Sequence, residues 1–69
     1  MPDHPELANN LKTRRINAEF TQAQLAEKIG VSRKTVNTIE NGVFVPSTIL
    51  ALKLAAALGV SVEELFQLR

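Results

Sequence analysis

Between residues 20 and 66 the chain repeats one set of helix-start signals three times, and this repetition restricts the possible folds more than any single residue does. Thr21 is followed three positions on by Gln24, with Phe20 before it and Leu25 after; Ser61 is followed by Glu64, with Val60 and Leu65 around it; Ser32 lies between Val31 and Val36. A hydroxyl at the cap accepts an amide of the first helical turn. Gln or Glu at the third position reaches back to the cap amide, and the flanking apolar pair fixes the entry angle of the chain. Helix ends are marked as clearly, because each of the 3 glycines, Gly30, Gly42 and Gly59, follows an apolar-periodic run where a left-handed residue closes a helix.

Asp3 reads as a further cap, with Pro5 in the first turn and Glu6 three residues after it. At about 100° per residue Leu7, Leu11 and Ala18 then share one stripe, and Arg15 falls inside it beside Ala8. These signals predict an all-α, compact five-helix domain filling residues 1–69, with helices at about 3–18, 22–29, 33–41, 48–58 and 62–67. No segment reads as a strand, and Val43-Phe44-Val45-Pro46 reads as a short extended connection. The expected core is Leu25, Ile29, Val36, Ile39, Leu50, Leu54, Leu58 and Leu65. A chain of this length buries only about 60% of its unfolded surface, so these side chains must pack well.

Composition narrows the function. With no cysteine and one histidine, His4, the chain offers neither a disulfide framework nor the side chains for a metal site, and its carboxylates fall mostly at helix starts rather than in an acid–base constellation. No catalytic residues, cofactor or small-molecule ligand are expected. The apolar runs are shorter than the roughly 18 residues a bilayer span needs, and Met1-Pro2-Asp3-His4-Pro5 lacks the features of a signal peptide, so a soluble cytoplasmic protein without membrane contact is expected. Net charge is only +1, but residues 12–34 hold Lys12, Arg14, Arg15, Lys28, Arg33 and Lys34 against Glu19 and Glu27. A local basic face on a nearly neutral domain suits a nucleic-acid reader, and a solvated lysine-rich face fits the same pattern.

The second and third predicted helices are separated only by Gly30, Val31 and the Ser32 cap, which forces two short helices to cross steeply, as in a helix-turn-helix over about 21–41. Val36 and Ile39 face Leu25 and Ile29, leaving Arg33, Lys34, Asn37, Thr38 and Asn41 on the outward face of the third helix. All five can donate hydrogen bonds, as a major-groove reader requires. Glu40 lies on the packed side of that helix, as Arg15 does on the first. Two inward charges of opposite sign imply an ion pair, the alternative being that each reaches water separately.

Thr21-Gln22-Ala23-Gln24-Leu25-Ala26-Glu27-Lys28-Ile29-Gly30-Val31-Ser32, Thr35-Val36 and Ile39-Glu40-Asn41-Gly42 together resemble the XRE family, the Cro and phage-repressor type of helix-turn-helix. Pro46-Ser47, Leu50 to Ala55, Leu58-Gly59-Val60 and Glu64-Leu65-Phe66 extend the resemblance over roughly residues 7–68. It implies a small transcriptional regulator, a repressor, that binds double-stranded DNA as a two-fold dimer on a palindromic operator. It further implies a phosphate contact for Gln22, base reading by Ser32, Arg33 and Lys34 with Thr38 one turn deeper, and a backbone contact for Asn41 and the Gly42 amide. Guanine O6 and N7 suit Arg33 or Lys34, and Asn37 is left between adenine and phosphate. Arg14 is expected at a phosphate, and Lys12 is left between a phosphate and an idle surface position. The Arg15–Glu40 pair also has a place in the family pattern. An antitoxin or a protein-interaction adaptor reusing the fold remains open.

A homodimer is expected on separate grounds: Val43, Phe44 and Val45 occupy a short loop, and Leu65-Phe66-Gln67-Leu68 carries more apolar surface than one terminal helix can bury. Pairing through this C-terminal half would set two recognition helices about 34 Å apart, one helical turn of DNA.

Overall fold

The computed structural model describes residues 6–69. A short strand β1 (Leu7–Asn9) leads into helices α1 (Leu11–Asn17), α2 (Gln22–Ile29), α3 (Arg33–Glu40), α4 (Thr48–Leu58) and α5 (Val62–Leu65), and the chain closes with strand β2 (Phe66–Leu68). The middle helices start and stop where their sequence signals stand. Thr21, Ser32, Ser47 and Ser61 each accept an amide of the first turn through the side chain, and the boxes of Thr21 with Gln24 and Ser61 with Glu64 are closed in both directions. At the end of α2, Gly30 takes φ 77° and lets the Val31 amide reach the Ala26 carbonyl at 3.0 Å, which satisfies an otherwise orphaned carbonyl.

Both ends of the chain correct the sequence expectation. The first helix does not run over 3–18; the Asp3 cap and Pro5 lie outside the described residues, and helix begins only at Leu11. Asn9 and Asn10 account for the interruption, because asparagine side chains compete with the helix for backbone partners. Asn9 Oδ1 accepts the Leu11 amide at 3.3 Å while its Nδ2 donates to the Ile39 carbonyl, also at 3.3 Å. Likewise the last helix ends at Leu65 instead of 67, with Phe66 already extended at φ −131° and ψ 128°. A one-turn helix gains too few hydrogen bonds to propagate, and an antiparallel partner is available: Leu7 faces Leu68, Ala8 faces Gln67 and Asn9 faces Phe66. The Asn10 amide to the Leu65 carbonyl at 2.8 Å and the Arg69 amide to the Glu6 carbonyl at 3.1 Å close the ladder at its two ends. The fold is therefore predominantly helical, with a two-stranded sheet joining its termini.

Leu11, Leu25, Val36, Ile39, Leu54 and Leu65 are fully buried, drawing every helix into one core, and Ala26 and Ala55 are the small residues at its close approaches. Leu50 and Leu58, expected in the core, pack against its edge. Complete burial of a leucine or isoleucine contributes about 1.5–3 kcal/mol, so this cluster fixes α3 against α2 and leaves one face of α3 outside. Among the described residues no helix is long and apolar enough to cross a membrane.

Candidate nucleic-acid interface

The α2–α3 turn sets the orientation of α3. Ser32 Oγ accepts the Thr35 amide at 3.1 Å and lies 3.0 Å from Thr35 Oγ1, so the first turn of α3 is held by its own cap. With Val36 and Ile39 turned into the core, Arg33, Lys34 and Asn41 are exposed and Asn37 and Thr38 half-buried on the outward side. Arg33, Lys34, Asn37 and Thr38 together line a shallow depression, and Arg33 also borders a second one with Thr21, Gln22 and Ala23 at the start of α2. The structure thus brings Gln22 and the outward residues of α3 onto one continuous surface. Among the described residues neither Arg33 nor Lys34 has an ion-pair partner.

Behind this surface the scaffold charges are consumed. Arg15 Nε donates to Glu40 Oε2 at 2.6 Å and Nη2 to Oε1 at 3.3 Å, while Nη1 donates to the Phe20 carbonyl at 2.9 Å. Their side chains are 10% and 3% exposed. Gln22 Nε2 donates to the same Glu40 Oε1 at 3.0 Å, an interaction the sequence reading did not anticipate. One carboxylate therefore joins α1, the start of α2 and the end of α3. The side chains of Asn37 and Asn41 also hold each other, Nδ2 of Asn41 donating to Oδ1 of Asn37 at 2.5 Å. What Asn37 still offers outward is its own amide N–H pair.

Arg14 sits differently. Its Nη2 lies 3.2 Å from Glu64 Oε2, so the structure pairs it with α5 rather than joining it to the α3 surface. The carboxyl of Glu64 is held below its ordinary range, first by the Ser61 amide, then by the Ser61 hydroxyl, and last by Arg14, against a small opposing effect of burial. The apolar loop divides as well. Val43 and Phe44 border α3 beside Thr35 and Thr38, whereas Val45 and Pro46 line a groove with Leu7, Leu52, Val62 and Phe66. Leu65, counted in the expected apolar surplus, is fully buried and Phe66 packs on the core; beyond Val43, Phe44 and Val45, which are exposed as expected, the large exposed apolar residues of the C-terminal half are Ile49, Leu52 and Leu68.

Two short helices packed together through a tight turn, the second presenting basic residues with no ion-pair partner among the described residues, define a helix-turn-helix protein. The family model described as helix-turn-helix matches residues 11–65, and the chain belongs to that family, the XRE type of DNA-binding transcriptional regulators, as the sequence resemblance implied. It is similar to an uncharacterized HTH-type transcriptional regulator of Methanocaldococcus jannaschii, 45% identical over 60 residues that cover 87% of this chain and 91% of the relative. The HTH-type regulator YgzD of Bacillus subtilis is 40% identical over 62 residues, covering 90% and 94%. Among solved structures, the restriction-modification controller protein C.AhdI of Aeromonas hydrophila superposes with a TM-score of 0.74 at 33% identity, over 78% of this chain and 82% of that one.

Proposed function

We propose that the protein is a repressor that lays α3 in the major groove of double-stranded DNA. The observation that carries this reading is the separation of charge: Arg15 and Glu40 neutralise each other inside, while Arg33 and Lys34 stand outside with no ion-pair partner among the described residues. Arg33 or Lys34, beside the Ser32 cap, donates to guanine O6 and N7, and Thr38 meets the next base step. Gln22 keeps one N–H after its bond to Glu40 and donates it to a phosphate at the start of α2; Asn41 and the Gly42 amide hold the backbone strand. Asn37, its carbonyl already occupied by Asn41, serves as a donor to phosphate rather than as a bidentate adenine reader. Arg14 reaches a phosphate only by leaving Glu64, a small sacrifice for an exposed pair. Repression then follows from occupancy of the operator.

Selection of bound sites from a random DNA pool tests the reading. Arg33→Ala or Lys34→Ala costs about 1–3 kcal/mol and relaxes preference at particular base pairs, whereas Gln22→Ala weakens all sequences evenly. Affinity falls with salt by a slope of about −0.9 per phosphate neutralised. Equal loss for all three variants with base preference unchanged would refute the division of roles.

A two-fold homodimer on a palindromic site completes the proposal. Ile49 and Leu52, one turn apart on α4 and 69% and 56% exposed, support it, Leu52 lining the groove with Leu7, Val45 and Phe66. Sedimentation at micromolar concentration distinguishes a dimer from a 7.6 kDa monomer.

A further inference from the structure

We propose that the small depression between α3 and the following loop receives the 5-methyl edge of a thymine, which makes Phe44 and Val43 specificity-determining residues. The depression, ≈ 330 Å³, is lined by Ser32, Lys34, Thr35, Thr38, Val43 and Phe44. Its hydroxyls are already engaged within α3 and its cap: the Thr38 hydroxyl donates to the Thr35 carbonyl at 3.0 Å, and the Thr35 hydroxyl lies 3.0 Å from Ser32 Oγ. With those hydroxyls occupied, the threonines add methyl groups to the aliphatic surface of Val43 and the ring of Phe44. The loop is also held in place, because the amides of Val43 and Phe44 both donate to the Thr38 carbonyl, at 3.0 and 3.2 Å.

An apolar depression in a hydrogen-bonding surface needs an occupant with an apolar tip and polar neighbours. The inference rests on the proposed DNA reading, since the depression shares Lys34 and Thr38 with the outward face of α3 and is continuous with it. In the major groove thymine is the base that presents a methyl group, next to its O4 acceptor, and Lys34 at the rim is a matching donor. A second copy of the chain is the competing occupant, and Lys34 at the rim argues against it, because an apolar protein contact would bury that ammonium.

The experiment starts from the DNA site obtained by selection and replaces each thymine in turn by deoxyuridine, which removes the methyl and leaves base pairing intact. The wild-type protein is expected to lose about fourfold in affinity at one thymine position per half-site, the worth of one buried methyl. Phe44→Ala loses that discrimination and binds both DNAs equally, while Phe44→Leu, which keeps an apolar side chain there, retains it. Phe44 is already 46% exposed, so its truncation leaves the core packing in place. Tolerance of deoxyuridine at every position, or a penalty unchanged in Phe44→Ala, overturns the proposal. So does a Phe44→Ala variant that becomes monomeric while keeping the penalty, which would assign this surface to a second copy. Failure to select any DNA sequence would instead refute the DNA reading beneath it.

Discussion

Arg14 and Arg15 are neighbours in sequence, and each forms an ion pair with a glutamate far along the chain, yet the two pairs do different work. Arg15 and Glu40 meet in near-complete burial, with a further bond from the guanidinium to the Phe20 carbonyl and one from Gln22 to the carboxylate. Arg14 and Glu64 meet with their side chains 38% and 46% exposed, and Glu64 is held mainly by its own helix cap. Coulomb attraction between like distances differs severalfold between these settings, and so does the cost of losing a partner, since water replaces one at the surface and nothing replaces it inside. Burial, more than the presence of opposite charges, decides which pair is architectural. The buried pair also lies directly behind the proposed DNA-facing surface, and the same carboxylate accepts from Gln22.

The largest effect expected is at Glu40. Glu40→Ala strands the Arg15 guanidinium inside and removes the partner of Gln22, costing about 3–5 kcal/mol. For a chain of 69 residues that is a third or more of the stability expected at about 0.05–0.15 kcal/mol per residue. Urea melts measure it, and the double change Arg15→Met with Glu40→Leu recovers more than half, the remainder reflecting the Phe20 carbonyl and Gln22 amide left without partners. Additive losses in that double-mutant cycle would mean that the two side chains do not depend on each other.

Exchanging arginine for lysine at the two positions sharpens the contrast at a smaller scale. Lysine has the charge without the planar fork, so Arg15→Lys keeps at most one of the contacts to Glu40 and Phe20 and lowers the melting temperature clearly, whereas Arg14→Lys preserves its single exposed contact and is nearly silent. Equal shifts for the two substitutions would show that charge alone, and not hydrogen-bond geometry, holds Glu40.

The same contrast separates what the sequence revealed from what it did not. Ser32 with Val31 and Val36, or Gly30 after Ile29, are signals contained within a few residues, and the helices they bound appear where expected. The inward charges at 15 and 40 could be matched because each lay on a stripe that periodicity already marked as buried. Strands β1 and β2 carry no comparable signal: each is three residues long and exists because Leu7 meets Leu68 from the opposite end of the chain. Asn9 and Asn10 were the available warning, two poor helix formers inside an otherwise regular stripe. For the candidate interface, Gln22 and the outward face of α3 follow from helix position, while the Glu64 partner of Arg14 and the division of Val43-Phe44 from Val45-Pro46 depend on tertiary placement that local spacing does not encode.

Acid titration followed at Glu64 probes the exposed pair. In the folded chain the Glu64 carboxyl titrates below its ordinary 4.5, so its stabilising contribution is fully present above that value and is lost as pH falls through the depressed folded pKa. The Ser61 hydroxyl ranks above Arg14 among the causes, so Ser61→Ala, which removes the hydroxyl and keeps the leading amide contact, raises the Glu64 pKa more than Arg14→Met does. Carboxyl chemical shifts followed by NMR through the acid range provide the measurement. Arg14→Met has only a small effect on melting, and that effect disappears in about 1 M salt, where the screening length is near 3 Å. A larger pKa rise in Arg14→Met than in Ser61→Ala would reverse the assignment. The ion pair would then outweigh the cap hydroxyl at Glu64, and the surface pair would resemble the buried one more closely than its exposure implies.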